Sequence, residues 1–320
     1  MKTLIIGAGP LGSLYACRMH QAGHDVTLLA RGNHYVHIKN HGVALVDAFS
    51  GERTVTRVPV VRTINPTDEY DLVIVLMRKN SVLQILPMLG RCRGVGCFLF
   101  MGNNVAGFRE YLRYISWEKL MFGFPGGGGA RVGHDAHYVD SETPGGKPLS
   151  VTLGELNGTR SPRLRAVRKM FLQAGVPVRC VGDIDSWLKY HAAFILPLAG
   201  ALLQAGDNHA LAVDSDSITQ YIRAVREGAK TLRVLGYTRS YNIKLRCIEF
   251  LPESLSRSIL QRVFRTRFAE VAMMMHVRVA RDEMQELEKE FTAMQRQAVL
   301  RTPNLDALNM NLVPDHGGQR

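Results

Sequence analysis

The feature that most constrains this chain of 320 residues is a glycine-rich turn near its start. Four apolar or β-branched residues, Thr3 to Ile6, lead directly into Gly7-Ala-Gly-Pro-Leu-Gly12, which has the spacing G-x-G-x-x-G. The first glycine of such a turn allows a tight bend, the second lets a diphosphate approach the backbone, and the third lets the following helix pack closely. Because a strand pattern precedes the turn and a helix pattern follows it, the sequence predicts a dinucleotide-binding βαβ unit.

The residues of this turn are the first candidate binding residues. They are Gly7, Gly9, Pro10, Leu11 and Gly12. Behind them, the predicted helix offers backbone N–H groups and the positive end of its dipole to a phosphate. The alternative is an ordinary glycine turn in an α/β domain that binds no ligand.

The tip of the second predicted strand indicates which dinucleotide is bound. Arg31 follows this strand, at the position where NAD-binding proteins usually carry Asp or Glu for the ribose 2′-hydroxyl. A guanidinium at that point suits the additional 2′-phosphate of NADP, which it can bind through two charge-assisted hydrogen bonds. We therefore predict NADP(H) as the cofactor; the alternative is an exposed arginine without a ligand.

Two later apolar runs predict the centre of a parallel sheet. The runs Leu72–Met77 and Gly96–Met101 are continuous, which is typical of strands buried on both faces. Strand and helix patterns alternate around them, as in a doubly wound Rossmann-type sheet. Arg78 and Asn104 follow the two runs, at the edge where such sheets bind their ligands.

The character of the chain changes near residue 182, where strand patterns cease. We predict a Rossmann dinucleotide-binding domain over residues 1–181 and an all-helical domain for substrate binding and dimerisation over residues 182–320. An apolar stripe from Ala280 to Ala298 predicts a strong helix in the second domain. Irregular structure is expected for the glycine-rich segment Gly123–Arg131 and from Arg301 onward, with disorder at 315–320.

Charge and cysteine content limit the possible functions. The net charge of +12 suits anionic ligands. The basic residues of the chain are dispersed, and the sequence shows neither a zinc-finger spacing nor a basic arm. The five cysteines are scattered and form no C-x-x-C pair, which indicates reduced thiols. The richest apolar stretch, Ala192–Ala205, is too short to span a bilayer. We expect a cytoplasmic protein that binds neither nucleic acid nor membrane.

Two His-x-x-His pairs invite comparison with metal sites. They are His34 with His37 and His134 with His137. Each pair falls in a predicted loop and lacks a third ligand at the usual spacing. We therefore predict solvated histidines and no metal.

Several motifs together resemble the ketopantoate reductase (2-dehydropantoate 2-reductase) family. The matching segments are Gly7–Gly12, Ala30–Gly32, Asp71–Arg78, Asn104–Gly107, Trp187–Lys189, Arg281–Met284 and Thr302–Asn304. The resemblance implies an NADPH-dependent oxidoreductase of pantothenate biosynthesis that reduces a small, ketopantoate-like 2-oxo acid to the 2-hydroxy acid. It implies that Lys189 is the general acid and that Glu283 binds the substrate hydroxyl. It also implies that Arg78 lies near the cofactor and that Asn104 fixes the nicotinamide end or the Lys189 ammonium.

The chain departs from this family at Arg78, where the family usually has a lysine, and at Val105, where a glycine usually follows the asparagine. Further departures concern the substrate. Family asparagines that touch substrate correspond to Ala193 and Pro197, and a family serine corresponds to Val271. A pocket without these hydrogen-bonding groups is expected to bind the family's substrate poorly. Three functions therefore stay open: a reductase of a ketopantoate-like acid, a reductase of another carbonyl compound, or a non-catalytic NADP-binding redox sensor. A homodimer also stays open.

Overall fold

The computed structural model describes residues 1–237 and 243–313, and these residues form two compact units. The first unit comprises Met1–Asn103 and Gly107–Ile184. The second comprises Asn104–Ala106 and the described residues from Asp185 onward. The segment 315–320, for which disorder is predicted, lies outside the described residues.

The first unit contains all the strands of the described residues. The strands are β1 (Thr3–Ile6), β2 (Val26–Leu29), β3 (Val43–Asp47), β4 (Arg53–Thr56), β5 (Val60–Val61), β6 (Tyr70–Val75), β7 (Val95–Met101), β8 (Leu120–Phe124), β9 (Gly128–Val132), β10 (Asp135–Val139), β11 (Val151–Glu155) and β12 (Val178–Cys180). The helices are α1 (Pro10–Gln21), α2 (Gly32–His41), α3 (Lys79–Leu89), α4 (Arg109–Leu112) and α5 (Pro162–Gln173), with a 3₁₀ turn at Trp117–Lys119.

The main sheet of this unit has the strand order β12-β11-β8-β7-β6-β1-β2-β5. Strand β1 pairs in parallel with both β2 and β6, so the strand order reverses at β1, which is where doubly wound sheets bind ligands. The side chains of Leu4, Ile5, Val73 and Ile74 are completely buried. The predicted fold class is confirmed, although β11 runs antiparallel to β8 and the sheet is therefore not parallel throughout.

A second sheet, in the order β4-β3-β10-β9, contains part of the segment predicted to be irregular. Strand β9 pairs antiparallel with β10, and β8 extends to Phe124, so the expectation for Gly123–Arg131 is wrong. The glycines serve close packing here. A Cβ at Gly129 would lie 2.2 Å from the carbonyl oxygen of His137 and 2.9 Å from the Cβ of Pro10.

The described residues of the second unit are helical. Its helices are α6 (Ile184–Ala205, of which Ile184 belongs to the first unit), α7 (Asn208–Val213), α8 (Ser215–Val234), α9 (Ile243–Phe250), α10 (Glu253–Phe264), α11 (Met275–Val279), α12 (Arg281–Ala298) and α13 (Pro303–Met310), with a π-helical turn at Ala269–Met274. The stripe that predicts a strong helix is the buried face of α12, where Leu287 and Phe291 are fully buried. No helix among the described residues has the length and apolar character needed to cross a membrane.

Helix α13 corrects the expectation that periodicity is lost from Arg301 onward. Leu305 and Leu308 of this helix are completely buried. Its first turn is held by Glu227 of α8, whose carboxylate accepts hydrogen bonds from Asn304 Nδ2 at 2.6 Å and from the backbone N–H of Leu305 at 2.9 Å. The stabilising group is distant in sequence, so local pattern does not reveal it.

Candidate functional site

The three glycines of the first turn meet different surroundings. Gly7 has φ +114°, and a Cβ there would lie 2.1 Å from the carbonyl oxygen of Leu76. A Cβ at Gly12 would lie 1.9 Å from the carbonyl oxygen of Gly7. A Cβ at Gly9 would meet nothing within 4 Å. Packing therefore requires glycine at the first and third positions, while the second leaves space at the N-terminus of α1, which is the arrangement that suits a diphosphate.

A cavity of about 460 Å³ opens beside this turn in the first unit. It lies at the carboxyl ends of β1, β2 and β6. Five basic side chains line it: Arg31, Arg62, Arg78, Arg131 and His34. None of the described residues that line the cavity is a carboxylate, so its electrostatic potential favours anions. Ile64, Ile85 and Met88 supply an apolar part of the wall, which fits an adenine ring.

The predicted cofactor residues fall into three groups. Gly7, Gly9, Arg31 and Arg78 line the cavity. Pro10, Leu11 and Gly12 form the first turn of α1 behind Gly9. Asn104 belongs to the second unit. The structure thus brings the glycine turn and two of the predicted arginines into one cavity.

Sequence reasoning missed Arg62 and Arg131. Arg62 follows β5, which pairs in parallel with β2, so Arg31 and Arg62 follow the carboxyl ends of adjacent strands. The guanidinium of Arg62 lies 4.6 Å from the ring centroid of Tyr35, which helps to orient it. The rule that ligands bind at strand ends would have found Arg62 if the two-residue strand had been recognised as part of the main sheet. Arg131 lies on β9, within the segment expected to be a loop.

The histidine pairs do not lie in loops as predicted. His34 and His37 are on α2, and His137 is on β10; His134 alone lies in a turn, between β9 and β10. The ring centroids of His37 and His134 are 3.9 Å apart. The described residues contain no group of three or more His, Cys, Asp or Glu arranged to hold a metal ion.

Lys189 is buried on α6, with 3% of its surface exposed. Its ammonium forms a salt bridge with Asp185, one helical turn earlier. The Nζ atom lies 4.9 Å from the ring centroid of Tyr237. The carboxylate and the ring face both contact the ammonium, so the structure fixes its position.

Glu283 and Asn104, the other two predicted catalytic residues, are also buried in the second unit. Glu283 lies in the first turn of α12. Two turns later on α12, the Glu290 carboxylate accepts hydrogen bonds from the backbone N–H groups of Val105 at 3.2 Å and Ala106 at 3.0 Å. Helix α12 therefore carries Glu283 and also holds the segment that contains Asn104.

The three positions that depart from the family pattern are buried and apolar. Ala193 and Val271 expose 1% or less of their surfaces, and Pro197 lies inside α6. Helices α6 and α8 pack closely at Ala193, because a Cβ at Gly228 of α8 would lie 3.2 Å from the Ala193 Cβ. These positions offer no side-chain hydrogen bond to a substrate.

Comparison with known proteins finds a sequence match for the N-terminal part of the chain. Residues 3–113 match the sequence model of the family described as ketopantoate reductase PanE/ApbA. This confirms the resemblance inferred from the sequence. A curated relative, the uncharacterized oxidoreductase YkpB of Bacillus subtilis (strain 168), is 27% identical over 208 residues, which span 62% of this chain and 64% of the relative.

Solved structures extend the similarity in fold to nearly the whole chain. The 2-dehydropantoate 2-reductase of Geobacter metallireducens GS-15 has a TM-score of 0.79 at 18% identity, over 98% of this chain and 99% of that one. A D-mandelate dehydrogenase, in a ternary structure with NADH and anilino(oxo)acetate, has a TM-score of 0.77 at 18% identity over 98% and 97% of the two chains. At these identities, the similarity concerns the fold alone.

Proposed function

We propose that this protein is an NADPH-dependent reductase that converts a small 2-oxo acid, or a related carbonyl compound, to the hydroxy compound. The observation that carries the proposal is the cavity at the glycine turn, with its four arginines and open space at Gly9. The family matched by residues 3–113 consists of reductases. The D-mandelate dehydrogenase of similar fold binds NADH, which supports a nicotinamide cofactor.

The choice of NADPH over NADH rests on Arg31 and its neighbours. Arg31 is the N-cap residue of α2, so a phosphate beside it would also meet the positive end of that helix. Arg62, at the end of the adjacent strand, adds a second guanidinium. Among the described lining residues there is no carboxylate to hold a ribose 2′-hydroxyl or repel a 2′-phosphate.

The proposed chemistry needs a proton donor and groups that stabilise negative charge on the carbonyl oxygen. When bound, the reduced nicotinamide supplies the hydride to the carbonyl carbon. Lys189 donates a proton to the oxygen, and Asp185 holds the ammonium in position. Because 29% of the Asp185 side chain is exposed, solvent can return the proton through it. Glu283 binds the hydroxyl of the substrate, and Asn104 fixes the nicotinamide end or the ammonium.

The substrate is expected to differ from the family's own. Ala193, Pro197 and Val271 present only apolar atoms where the resemblance predicts polar contacts. A substrate whose polar groups find no hydrogen-bonding partner in the pocket is bound and reduced poorly. We therefore expect 2-oxo acids with apolar side chains to be reduced better than ketopantoate.

The same three positions favour a second candidate, a non-catalytic protein that binds NADP(H) and reports its redox state. A screen of 2-oxo acids that includes ketopantoate, followed by NADPH absorbance, separates the two functions. Turnover of any member supports the reductase. NADPH binding without turnover of any member favours the sensor, and a failure to bind NADPH contradicts both.

A further inference from the structure

His34 is a wall residue of the cavity whose hydrogen bonds depend on its protonation. It lies in the first turn of α2, and its ring connects the glycine turn with the turn between β9 and β10. Its Nε2–H donates to the carbonyl oxygen of Ala8 at 3.2 Å. Its Nδ1 lies 3.4 Å from the Nδ1 of His134. No sequence motif pointed to this arrangement, because the two histidines are 100 positions apart.

These contacts limit how many protons His34 and His134 can hold together. The Ala8 carbonyl only accepts, so Nε2 of His34 carries a hydrogen in either charge state. When His34 is neutral, its Nδ1 accepts from His134; when it is charged, its Nδ1 donates to a His134 whose Nδ1 is unprotonated. The pair can therefore take up one proton and keep its hydrogen bond, whereas a second proton would place two N–H groups face to face.

The groups facing His34 are predominantly positive. They are Arg131 of β9, His134 of the adjoining turn, His37 of the same helix, and the cavity arginines Arg31, Arg62 and Arg78. Burial and then the Arg131 guanidinium lower the pKa of His34 below its usual value. Asp135, the residue that follows His134, already forms a salt bridge with Arg53. An anion in the cavity would offset this positive field and favour the imidazolium.

We propose that His34 is a proton-linked phosphate-binding residue, which becomes charged when a phosphate group of the dinucleotide occupies the cavity. The inference rests on the proposed cofactor binding and adds a regulation to it: affinity for the cofactor rises as the pH falls. The phosphate is either the 2′-phosphate or the diphosphate, and the experiment distinguishes them.

The direction of the pH dependence of cofactor affinity follows from proton linkage. His34 has a lowered pKa in the free protein, and a neighbouring phosphate raises it in the complex, so binding takes up a proton. The gain in affinity is complete below the pKa of the free protein and is lost as the pH rises through the pKa of the complex. Because histidine titrates between roughly pH 5 and 8, the effect falls within the physiological range.

The test measures the dissociation constants of NADPH and NADH for the full chain between about pH 5.5 and 8.5, the range in which histidine titrates. His34→Gln is compared with the wild type, because its amide can still donate to Ala8 but carries no titratable charge. His209→Gln is the control, since His209 is exposed on α7 in the second unit and does not line the cavity. The 2′-phosphate of free NADPH itself titrates near pH 6. Because this titration is the same for every variant, the ratio of dissociation constants between variant and wild type isolates the contribution of His34.

We expect NADPH to bind the wild type more tightly than His34→Gln by about three- to tenfold near pH 6, with the ratio approaching one above about pH 8. His209→Gln should follow the wild type. If the ratio of dissociation constants between His34→Gln and the wild type depends on pH for NADPH but not for NADH, His34 contacts the 2′-phosphate. If the ratio depends on pH equally for both cofactors, His34 contacts the diphosphate. Isothermal titration calorimetry in buffers of different ionisation enthalpy should show that the wild type takes up more protons on binding than His34→Gln, a difference to which the titration of the 2′-phosphate contributes little. A constant ratio with no difference in proton uptake overturns the role of His34 but leaves cofactor binding intact; failure to bind either cofactor contradicts the proposed function as well.

Discussion

Glu290 of α12 accepts a hydrogen bond from the backbone N–H of Ala106 across 3.0 Å. Through this bond and its companion from Val105, one carboxylate satisfies two successive backbone donors beside the buried Asn104. The same helix carries Glu283, so the positions of two proposed catalytic residues depend on a single rigid element. A site assembled on one helix keeps its geometry better than a site built on independent loops.

The first prediction concerns this contact. Glu290→Ala should lower the free energy of unfolding by about 1–3 kcal/mol, because it leaves two backbone donors without their charged acceptor. Glu290→Gln should cost less, since its amide oxygen still accepts. Glu286→Ala is the matched control: Glu286 pairs with exposed Lys289 on the same helix at 3.7 Å, and its loss should cost under about 0.5 kcal/mol. Urea denaturation measures all three, and equal values for the two alanine variants would refute the anchoring role.

The second prediction concerns the specificity for NADPH. Arg31→Ala should weaken NADPH binding by about tenfold or more, since a charge-assisted phosphate contact contributes roughly 1.5–3 kcal/mol, while NADH binding changes little. Lys39→Ala is the control, because Lys39 is an exposed cation of the same helix that does not line the cavity. Fluorescence titration with both cofactors gives the comparison. An equal loss for NADPH and NADH would show that Arg31 does not contact the 2′-phosphate.

The third prediction separates the roles of two glycines. Gly9→Ala should leave stability within about 0.5 kcal/mol of the wild type, because its Cβ enters open space, but should weaken NADPH binding. Gly12→Ala should destabilise the fold by about 2 kcal/mol or more, because its Cβ would lie 1.9 Å from a carbonyl oxygen. Thermal unfolding and NADPH titration check both. Unchanged NADPH affinity in Gly9→Ala would mean that the diphosphate does not lie at this turn.

The fourth prediction concerns the general acid. Lys189→Ala should lower kcat by about 10²–10⁴-fold on any substrate found in the screen, the usual contribution of a positioned acid, with NADPH affinity nearly unchanged. Lys230→Ala, an exposed lysine on α8, should retain full activity. Glu283→Gln should act mainly on KM. Near-full kcat in Lys189→Ala would overturn the mechanism and the role carried over from the family.

The fifth prediction concerns the domain boundary near residue 181. Gly182 and Asp183 are exposed where the chain passes from β12 to α6. Brief digestion with a protease of low specificity should therefore cleave near them and release two protected fragments, which mass spectrometry identifies. Cleavage that never falls between residues 175 and 185 would argue against this division of the chain.

Local sequence determined the parts of the fold whose causes are local. The spacing of Gly7, Gly9 and Gly12 predicts the turn, and the apolar runs that became β6 and β7 predict the buried sheet. The repeat along α12 predicts its buried face. In each case, the residues that produce the pattern lie within a few positions of one another, so periodicity and turn chemistry suffice.

Only the tertiary structure decided which residues, distant in sequence, lie beside these strands and helices. Arg62 joins Arg31 because a two-residue strand adds to the edge of the main sheet, and Arg131 joins them because β9 is a strand whose glycines permit close packing. Helix α13 forms because Glu227, from another helix, caps it, and Glu290 holds a segment about 185 positions away. Such contacts depend on long-range pairing, which a single sequence does not encode in any local pattern. The sequence therefore determined where the glycine turn lies, and the fold determined which charges surround it.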